Sequence, residues 1–327
     1  MQSKVFNEVK QPSISVVKKF EWRNYIVYLA FVGVLIYFSI TLFDQGFLTT
    51  GNLLNIVRQT ATITLMALAM TFVISTGEID LSVGSIAALS SLTGALALQT
   101  GYGILGGVIA GVGTGLLIGL VNGVLVTKLA IPSFLVTLGT MGAVKGMAMW
   151  ITDTAPVPII DSNFNFIFGS GDIGPIPVLL IWTLMFAIIA HVLLQKTSFG
   201  RQVLATGGNE IAARFSGVNT SRIKMLVFLG TGLMAGLAGL LYAGRMNAGR
   251  FSFGEGDELS VIAAVILGGT ALAGGVGTVI GTVIGSLMIG VINNGLIIMG
   301  LDVSQQMIIR GLIIILSVAL GRKAVNR

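Results

Sequence analysis

The chain has 327 residues, of which 54% are hydrophobic and only 10% are charged, with a net charge of +6. Soluble domains carry about 25% charged residues, so this composition excludes an ordinary soluble protein and predicts an integral membrane protein. Apolar runs longer than the roughly 18 residues of a spanning helix recur, whereas the ~10-residue alternating segments of an outer-membrane barrel do not, so we expect an all-α polytopic fold.

Hydropathy predicts about ten transmembrane helices, numbered here in chain order. They cover residues 25–43, 57–76, 83–99, 104–126, 134–151, 177–195, 225–243, 259–275, 276–299 and 306–320. The third and eighth are marginal, and the glycine-rich join near Gly274-Gly275 is compatible with a re-entrant turn. The first lacks a small-residue cleavage site and is interpreted as a retained helix rather than a signal peptide.

The distribution of basic residues predicts the orientation of these helices. If residues 1–24 form a cytoplasmic tail, the inner segments, including a second tail at 321–327, hold fourteen of the 19 Lys and Arg residues. The outer segments hold three, Arg58, Arg245 and Arg250, while Lys145 and Arg310 lie within spans. This asymmetry follows the positive-inside rule, so the net charge reflects topology and no nucleic-acid partner is expected.

Two halves of the chain share an order of motifs. "GEIDLSVGS" at 77–85 resembles "GEGDELSVIAA" at 254–264, and Asn122-Gly123 and Asn294-Gly295 each precede a further span. The copies, about 57–151 and 225–320, begin five spans apart. That odd offset would turn the second copy upside down, as in the inverted repeats of transporters.

Glycines recur every fourth residue in the fourth predicted span and again in the ninth. Gly232 and Gly236 form a similar pair in the seventh. In a membrane such spacings let helix backbones approach closely, so we expect tight helix packing at these positions.

The segment 196–224, between the sixth and seventh spans, is the most polar and basic internal part of the chain. It reads "ATGGNEIAARFSGVN" from Ala205 to Asn219. Asn209 is suited to cap a helix, Glu210 to its positive first turn, and Gly217 to its end. A two-turn helix is marginal alone in water. The residues themselves leave open whether it contacts a partner protein or lies on the bilayer.

These motifs resemble those of the ribose-type sugar permeases of bacterial ATP-binding-cassette importers, and the similarity runs from about Tyr25 to Leu320. The resemblance implies a fold like that of the cobalamin-type permeases in a bacterial inner membrane, with residues 25–320 as the permease domain. The segment 196–224 would be a cytoplasmic coupling loop. Its ATPase-docking residues would be Gly207, Gly208, Asn209, Glu210, Ala212, Ala213 and Gly217.

The same resemblance implies the partners and the cofactors. They are a second permease subunit, most simply an identical one, a cytoplasmic ATPase and an extracytoplasmic sugar-binding protein, besides membrane lipid. ATP and Mg²⁺ would be bound by the ATPase and no cofactor by this chain. The sequence has no P-loop motif and no metal or catalytic cluster, so we expect a transport subunit and not an enzyme.

Three other functions remain open: an ion-coupled secondary sugar transporter, a passive channel, and an importer for another small polar solute. An ion-coupled transporter requires acidic groups within the membrane, and no acidic residue lies well inside a predicted span. Ribose is the first expectation for the solute, with another pentose or a hexose next.

Interrupted apolar segments in matching positions of two halves are the sequence feature that best indicates a transport site. We therefore expect six polar residues at the two interruptions to lie near the aqueous route as helix caps and gates. They are Glu78, Asp80 and Ser82, towards the cytoplasm, and Asp257, Glu258 and Ser260, towards the outside. Ordinary capping by Asp80 or Ser82 and by Glu258 or Ser260 is the alternative.

The outer loop 152–177 has no Lys or Arg and carries three Asp residues. Phe164, Phe166 and Phe168 alternate along it. We expect this loop to help receive the binding protein, with aromatics folded against the bilayer interface as the alternative.

Overall fold

The computed structural model describes residues 26–322 and is mostly helical over that range. The α-helices are α1 Ile26–Thr41, α2 Thr50–Ser75, α3 Val83–Gln99, α4 Gly103–Thr127, α5 Ser133–Trp150, α6 Ser162–Asn165, α7 Val178–Lys196, α8 Ser198–Gly208, α9 Glu210–Phe215, α10 Thr220–Met246, α11 Asp257–Leu267, α12 Val279–Ile298 and α13 Val303–Arg322. The predicted tail at 1–24 and residues 323–327 of the second tail lie outside the described residues.

Four two-residue strands lie in the connections between helices. β1 (Val157–Pro158) pairs antiparallel with β4 (Ala248–Gly249), and β2 (Asp172–Ile173) pairs with β3 (Ile176–Pro177). The first pair joins the segment after α5 to the segment after α10. These strand pairs connect the loops at one end of the helical bundle.

Within the described range, five helices are long and apolar enough to cross a membrane: α2, α4, α7, α10 and α12. Two shorter apolar stretches, Val27–Thr41 and Val83–Gln99, match the first and third predicted spans. The chain is therefore a mostly helical membrane protein, as expected from its composition.

The eighth predicted span, 259–275, differs from the structure. Its helix α11 begins at Asp257 and ends at Leu267, because Gly268 is followed by Gly269 with a φ of +93°. Gly274 and Gly275 also have positive φ, so the rest of the predicted span is a glycine-rich turn, consistent with the turn expected at that join.

Helices α2 and α10 form the centre of the bundle and pack against each other. α10 also packs against α3 and α4, while α2 packs against α11, α12 and α7. Two hydroxyl pairs join α2 to α12, Thr71 to Thr282 and Thr64 to Ser286, both at 2.8 Å between oxygens. α2 and α12 are therefore joined by polar contacts within an apolar core, which is how helices are joined in lipid.

The glycine pattern of α4 has the predicted consequence. A Cβ at Gly115 would overlap the carbonyl oxygen of Gly232 in α10, and a Cβ at Gly119 would lie 2.5 Å from the carbonyl oxygen of Phe228. Gly113, on another face of α4, has no such neighbour within 4 Å. The small residues bring the α4 and α10 backbones into direct contact, so the expectation of tight packing is confirmed here.

Candidate functional site

The predicted two-turn helix is present as α9, Glu210–Phe215. The Asn209 side chain accepts a hydrogen bond from the Ala212 amide at 3.0 Å, which satisfies one free N–H of the first turn. The helix ends before Gly217, whose φ is +85°. The predicted cap, acidic first residue and terminating glycine are therefore confirmed.

The two alanines of α9 have opposite surroundings. Ala213 is buried against its own chain, whereas Ala212 is exposed. Ile211 is 69% exposed and Phe215 is 90% exposed, although both are apolar. Large apolar side chains clustered on an exposed surface mark a contact site. Ile211, Ala212 and Phe215 thus define the outer face of α9, and Ala213 belongs to its inner face.

Glu210 is held by three neighbouring side chains. Its carboxylate accepts hydrogen bonds from Arg214 at 2.6 Å, Thr220 at 3.0 Å and Lys224 at 2.8 Å. Burial alone would raise the pKa of the Glu210 carboxyl, but the hydrogen bonds and the Lys224 charge hold that pKa below its ordinary value of 4.5. Glu210 therefore stays ionised at neutral pH and fixes α9 on the start of α10.

Gly207, at the end of α8, packs on backbone rather than presenting a surface. A Cβ there would overlap the carbonyl oxygen of Ser75, the last residue of α2. The same carbonyl accepts a hydrogen bond from the Gly275 amide at 3.0 Å. Gly208 is exposed, and a Cβ added there would meet the Gly275 Cα at 3.8 Å, an ordinary contact distance. The end of α8 thus sits against both α2 and the glycine-rich turn that follows α11.

Glu78, predicted near the aqueous route, lies beside α9 and the start of α10. The Lys224 ammonium is 2.6 Å from the Glu78 carboxylate and 2.8 Å from the Glu210 carboxylate. Glu78 and Glu210 were predicted in separate elements, because nothing in their spacing of 132 positions indicates that Lys224 joins them.

Asp80 and Ser82 are fully buried in a hydrogen-bonded network. The Asp80 carboxylate accepts bonds from the Ser82 amide at 2.9 Å, the Ser82 hydroxyl at 2.6 Å and the Thr231 hydroxyl at 3.0 Å. Asn122 donates to the Ser82 hydroxyl and accepts from Thr140. The network joins the segment between α2 and α3 to α4, α5 and α10.

This network contains residues that the sequence analysis did not assign to the site. Asn122 was singled out only as a marker of the repeat, although a buried amide in an apolar helix is itself a signal of a polar partner. Thr140 and Thr231 gave no such signal, because threonine is common in membrane helices.

The second interruption lies against the first. The Gly254 carbonyl oxygen and the Glu258 carboxylate both lie where a Cβ at Gly84 would be. The amide of Arg250 also donates to the Ser91 hydroxyl at 3.2 Å, so the segment before α11 runs alongside α3 in the opposite direction. The starts of α3 and α11 are therefore in contact, whereas the sequence placed them towards opposite sides.

The capping alternative is only partly correct. Ser82 precedes α3 and makes no capping side-chain bond there, while Asp80 accepts the Ser82 amide. For α11, capping by Glu258 or Ser260 is wrong, because Gly256, with a φ of +80°, starts the helix earlier. Asp257 and Glu258 instead occupy its first turn, where the helix dipole favours acidic groups. Asp257 accepts a hydrogen bond from Tyr242, and Ser260 is buried.

Two salt bridges outside these networks connect separate segments of the described chain. Lys145 of α5 is 2.6 Å from Glu255, which precedes α11, and Arg58 of α2 is 2.7 Å from Asp172 of β2. Lys145, which lies within a predicted span, is thus paired with an acidic residue from the second half, in a largely exposed salt bridge.

The aromatic residues of the loop 152–177 are mostly internal. Phe164 and Phe168 are buried and stacked, with ring centroids 4.8 Å apart, and Phe168 stacks on Trp182 of α7. They are part of the core, so these two rings are not available to contact a partner. Phe166 is 46% exposed and is the accessible aromatic of the three.

Comparison with known proteins places the chain among transport permeases. It is 41% identical to a ribose import permease of Bacillus subtilis (strain 168) over 285 residues, 87% of this chain and 88% of that protein. It is 38% identical to a ribose import permease of Escherichia coli (strain K12), over 93% of this chain and 94% of that one. An L-arabinose transport permease of the same strain is 35% identical, over 92% and 91%.

No solved structure matches the chain. The expected resemblance to ribose-type permeases is confirmed by the relatives above. The family model described as the permease component of branched-chain amino acid transport systems matches residues 52–318. The chain therefore belongs to this family of transport-system permease components.

Proposed function

We propose that this chain is the permease subunit of an ATP-binding-cassette importer that moves a monosaccharide, ribose first, across the bacterial inner membrane. The observation that carries the proposal is the similarity to ribose import permeases over about nine-tenths of both chains. Helix α9, which carries an exposed apolar face, fits the same function. A permease subunit that has no ATPase site of its own must contact a separate ATPase subunit.

The proposed architecture has ten spans in two inverted repeats, residues about 57–151 and 225–320. Its support is a matching set of helix contacts. α2, α3, α4 and α5 correspond in order to α10, α11, α12 and α13. α10 packs against α3 and α4 as α2 packs against α11 and α12, and α3–α5 contact corresponds to α11–α13 contact. Such an exchange is what a pseudo-two-fold axis produces.

In this proposal the ATPase docks on the outer face of α9. The position of α9 is fixed by the residues around it. Ile211, Ala212 and Phe215 would contact the ATPase, while Asn209 and Gly217 limit the helix. Gly207, Gly208, Glu210 and Ala213 would hold α9 against the rest of the chain. ATP and Mg²⁺ would be bound entirely by the ATPase.

The transport route would pass the contact between the starts of α3 and α11. Asp80, Ser82 and Ser260 are buried there, so in this proposal the route would be closed in this conformation. The paired interruptions support a gate, because non-helical backbone at membrane depth occurs only inside protein or beside a water-filled cavity. Glu258 and Asp257 would line the other side of the same gate.

The remaining partners follow from the importer function. A second copy would complete the route, with both termini in the cytoplasm, and an extracytoplasmic binding protein would deliver the sugar. The loop 152–177, with Asp153, Asp161 and the exposed Phe166, is the proposed receiving surface. The family's description as one component of a transport system supports partner subunits in general.

Complementation tests the substrate. The chain, with the ATPase and binding protein encoded beside it, is expressed in a bacterium that lacks ribose uptake, and labelled ribose entry is measured with competing sugars. We expect uptake that unlabelled ribose suppresses more strongly than L-arabinose, and uptake suppressed only by another solute would exclude ribose. The L-arabinose relative makes that sugar the second substrate candidate.

The burial of Asp80 is the observation that favours a second candidate function, that of an ion-coupled transporter. It is a fully buried carboxyl, the kind of group that an ion-coupled transporter requires and that the sequence analysis did not place inside the fold. The three hydrogen bonds that Asp80 accepts explain it as a structural group, which favours the importer. Uptake by the chain alone on a proton or sodium gradient would instead establish ion coupling.

A further inference from the structure

Lys224 lies where three parts of the chain meet. It is the fifth residue of α10, and its ammonium group contacts Glu210, the first residue of α9, and Glu78, in the segment between α2 and α3. The side chains of Lys224 and Glu78 are only 15% and 14% exposed, and that of Glu210 is 33% exposed. These contacts are therefore better shielded from water than an ordinary surface salt bridge.

The placement of this lysine is electrostatically costly without both carboxylates. A positive charge in the first turns of a helix opposes the helix dipole, and burial adds a desolvation cost. Two carboxylates on one ammonium offset both effects. Removal of the lysine would leave two partly buried carboxylates facing each other, so the three groups act as one unit that holds α9 on the α2–α3 segment.

The α2–α3 segment continues the contact towards the proposed route. The amide of Ile79 donates to the Ser133 hydroxyl at 3.1 Å, and the Thr137 hydroxyl donates to the Ile79 carbonyl oxygen at 3.3 Å. Ser133 and Thr137 belong to the first turns of α5. One residue further on, Asp80 begins the buried network that reaches Ser82 and the start of α3. A displacement of α9 thus has a direct physical connection to α5 and to the gate.

We propose that Lys224 is a positioning residue for transport, which transmits the position of α9 through Glu78 to the segment between α2 and α3. This proposal rests on the proposed importer function. It assigns Glu78 to the coupling element, whereas the expectation from the sequence placed Glu78 near the aqueous route. Loss of the bridge is expected to leave ATP hydrolysis in place while less sugar moves for each ATP consumed.

The test uses the complete complex of permease, ATPase and binding protein in proteoliposomes, with ribose imported per ATP hydrolysed as the measured quantity. Lys224→Gln should lower this ratio at least about five-fold, the lower end of ordinary coupling between sites. Lys224→Arg, which keeps the charge, should recover most of the ratio. Arg222→Gln removes an equal charge from an exposed position two residues away and should leave the ratio unchanged.

A double-mutant cycle separates a transmitted effect from general damage. Glu78→Gln should reproduce most of the loss caused by Lys224→Gln, and the double variant should be no worse than Lys224→Gln alone. Glu78→Gln leaves the hydrogen bonds of Glu210 with Arg214 and Thr220 in place, so it serves as the test if Lys224→Gln fails to assemble.

An unchanged ratio in Glu78→Gln, an equal loss in Arg222→Gln, or additive losses in the cycle would each overturn the role of Lys224. The absence of ATP-dependent uptake by the unaltered complex would instead overturn the proposed function. The two failures are therefore distinguishable, because only the second appears before any residue is changed.

Discussion

At the residue scale, neighbouring alanines of α9 have different expected roles. Ala212 faces outwards and Ala213 inwards. Ala212→Trp should therefore block close approach of the ATPase while the permease still inserts and folds. We expect at least about a tenfold loss of ATPase co-purification, equivalent to roughly 1.4 kcal/mol.

Two further variants control this prediction. Ala212→Ser keeps the small size and should retain the ATPase. Ala213→Trp overpacks a buried position, at a cost of about 1–3 kcal/mol, and should lower thermal stability. ATPase co-purification equal to that of the unaltered chain in Ala212→Trp would contradict the assignment of the outer face.

The Glu210 carboxyl gives a prediction about pH. Its pKa in the folded chain lies below the ordinary 4.5, because the bonds from Lys224, Thr220 and Arg214 outweigh its burial. The stabilisation that follows is fully present above pH 4.5 and is lost as the pH falls through the lowered value. The attachment of α9 should therefore be constant from pH 7 to about pH 5 and weaken only below that.

A spin label measures this directly, since the chain contains no cysteine. With Ile211→Cys labelled, label mobility should rise only in acid, and in a Glu210→Gln background it should be high and nearly independent of pH. A mobility transition centred between pH 5 and pH 7 in the first protein would contradict the assignment.

Residues whose role is local could be predicted from the sequence, while residues whose role depends on distant partners could not. Asn209 and Gly217 were predicted because a cap and a left-handed terminator act within one turn. The Lys224–Glu78 contact and the Asp80–Thr231 contact join positions 146 and 151 residues apart in the sequence, and no local pattern encodes them. The inward direction of Ala213 likewise depends on how α9 docks.

At the element scale, the contact between α4 and α10 gives a prediction for glycine. Gly115→Ala places a methyl group where the Gly232 carbonyl oxygen lies, so the helices must separate. We expect a loss of about 1–3 kcal/mol, the range for overpacking. Gly113→Ala, in the same helix with open space around its Cα, should be neutral or slightly stabilising.

Thermal unfolding in detergent provides the measurement. The two variants change the same residue type in one helix, so a difference between them isolates the contact with α10. Equal melting temperatures for Gly115→Ala and Gly113→Ala would show that this contact contributes nothing.

The existence of the long helices was easier to predict from the sequence than the residues at which helices begin and end. Long apolar segments such as α2, α4, α7, α10 and α12 were recognisable because hydropathy is a property of the segment itself. α11 was predicted too long, because the glycines after Leu267 count as apolar although they end the helix. α8 was not predicted, because its eleven residues carry a mixed composition that hydropathy does not detect.

At the scale of the whole molecule, the proposed inward and outward states differ in access to the contact between the two interruptions. Ser82, two residues before the Gly84 position at which the second interruption meets the first, is buried here. Ser82→Cys should be unreactive towards a small water-soluble thiol reagent in one nucleotide state of the complex and reactive in another. A cysteine at Gly113, on a face of α4 with no neighbouring atom within 4 Å, should show no dependence on nucleotide.

Absence of reaction at position 82 in every nucleotide state would remove this region from the route. The burial of Asp80, Ser82 and Ser260 together would then be explained by packing alone. The ATPase-docking role of the outer face of α9 would be unaffected, because it depends on separate residues.

The most direct test of the central claim is sugar import by purified components. The chain is reconstituted in proteoliposomes with its ATPase, and labelled ribose and binding protein are supplied on the opposite side from ATP. Accumulation should require ATP, the ATPase and the binding protein together, and should persist when proton and sodium gradients are collapsed. Accumulation by the permease alone on an ion gradient, with no effect of ATP, would contradict the account.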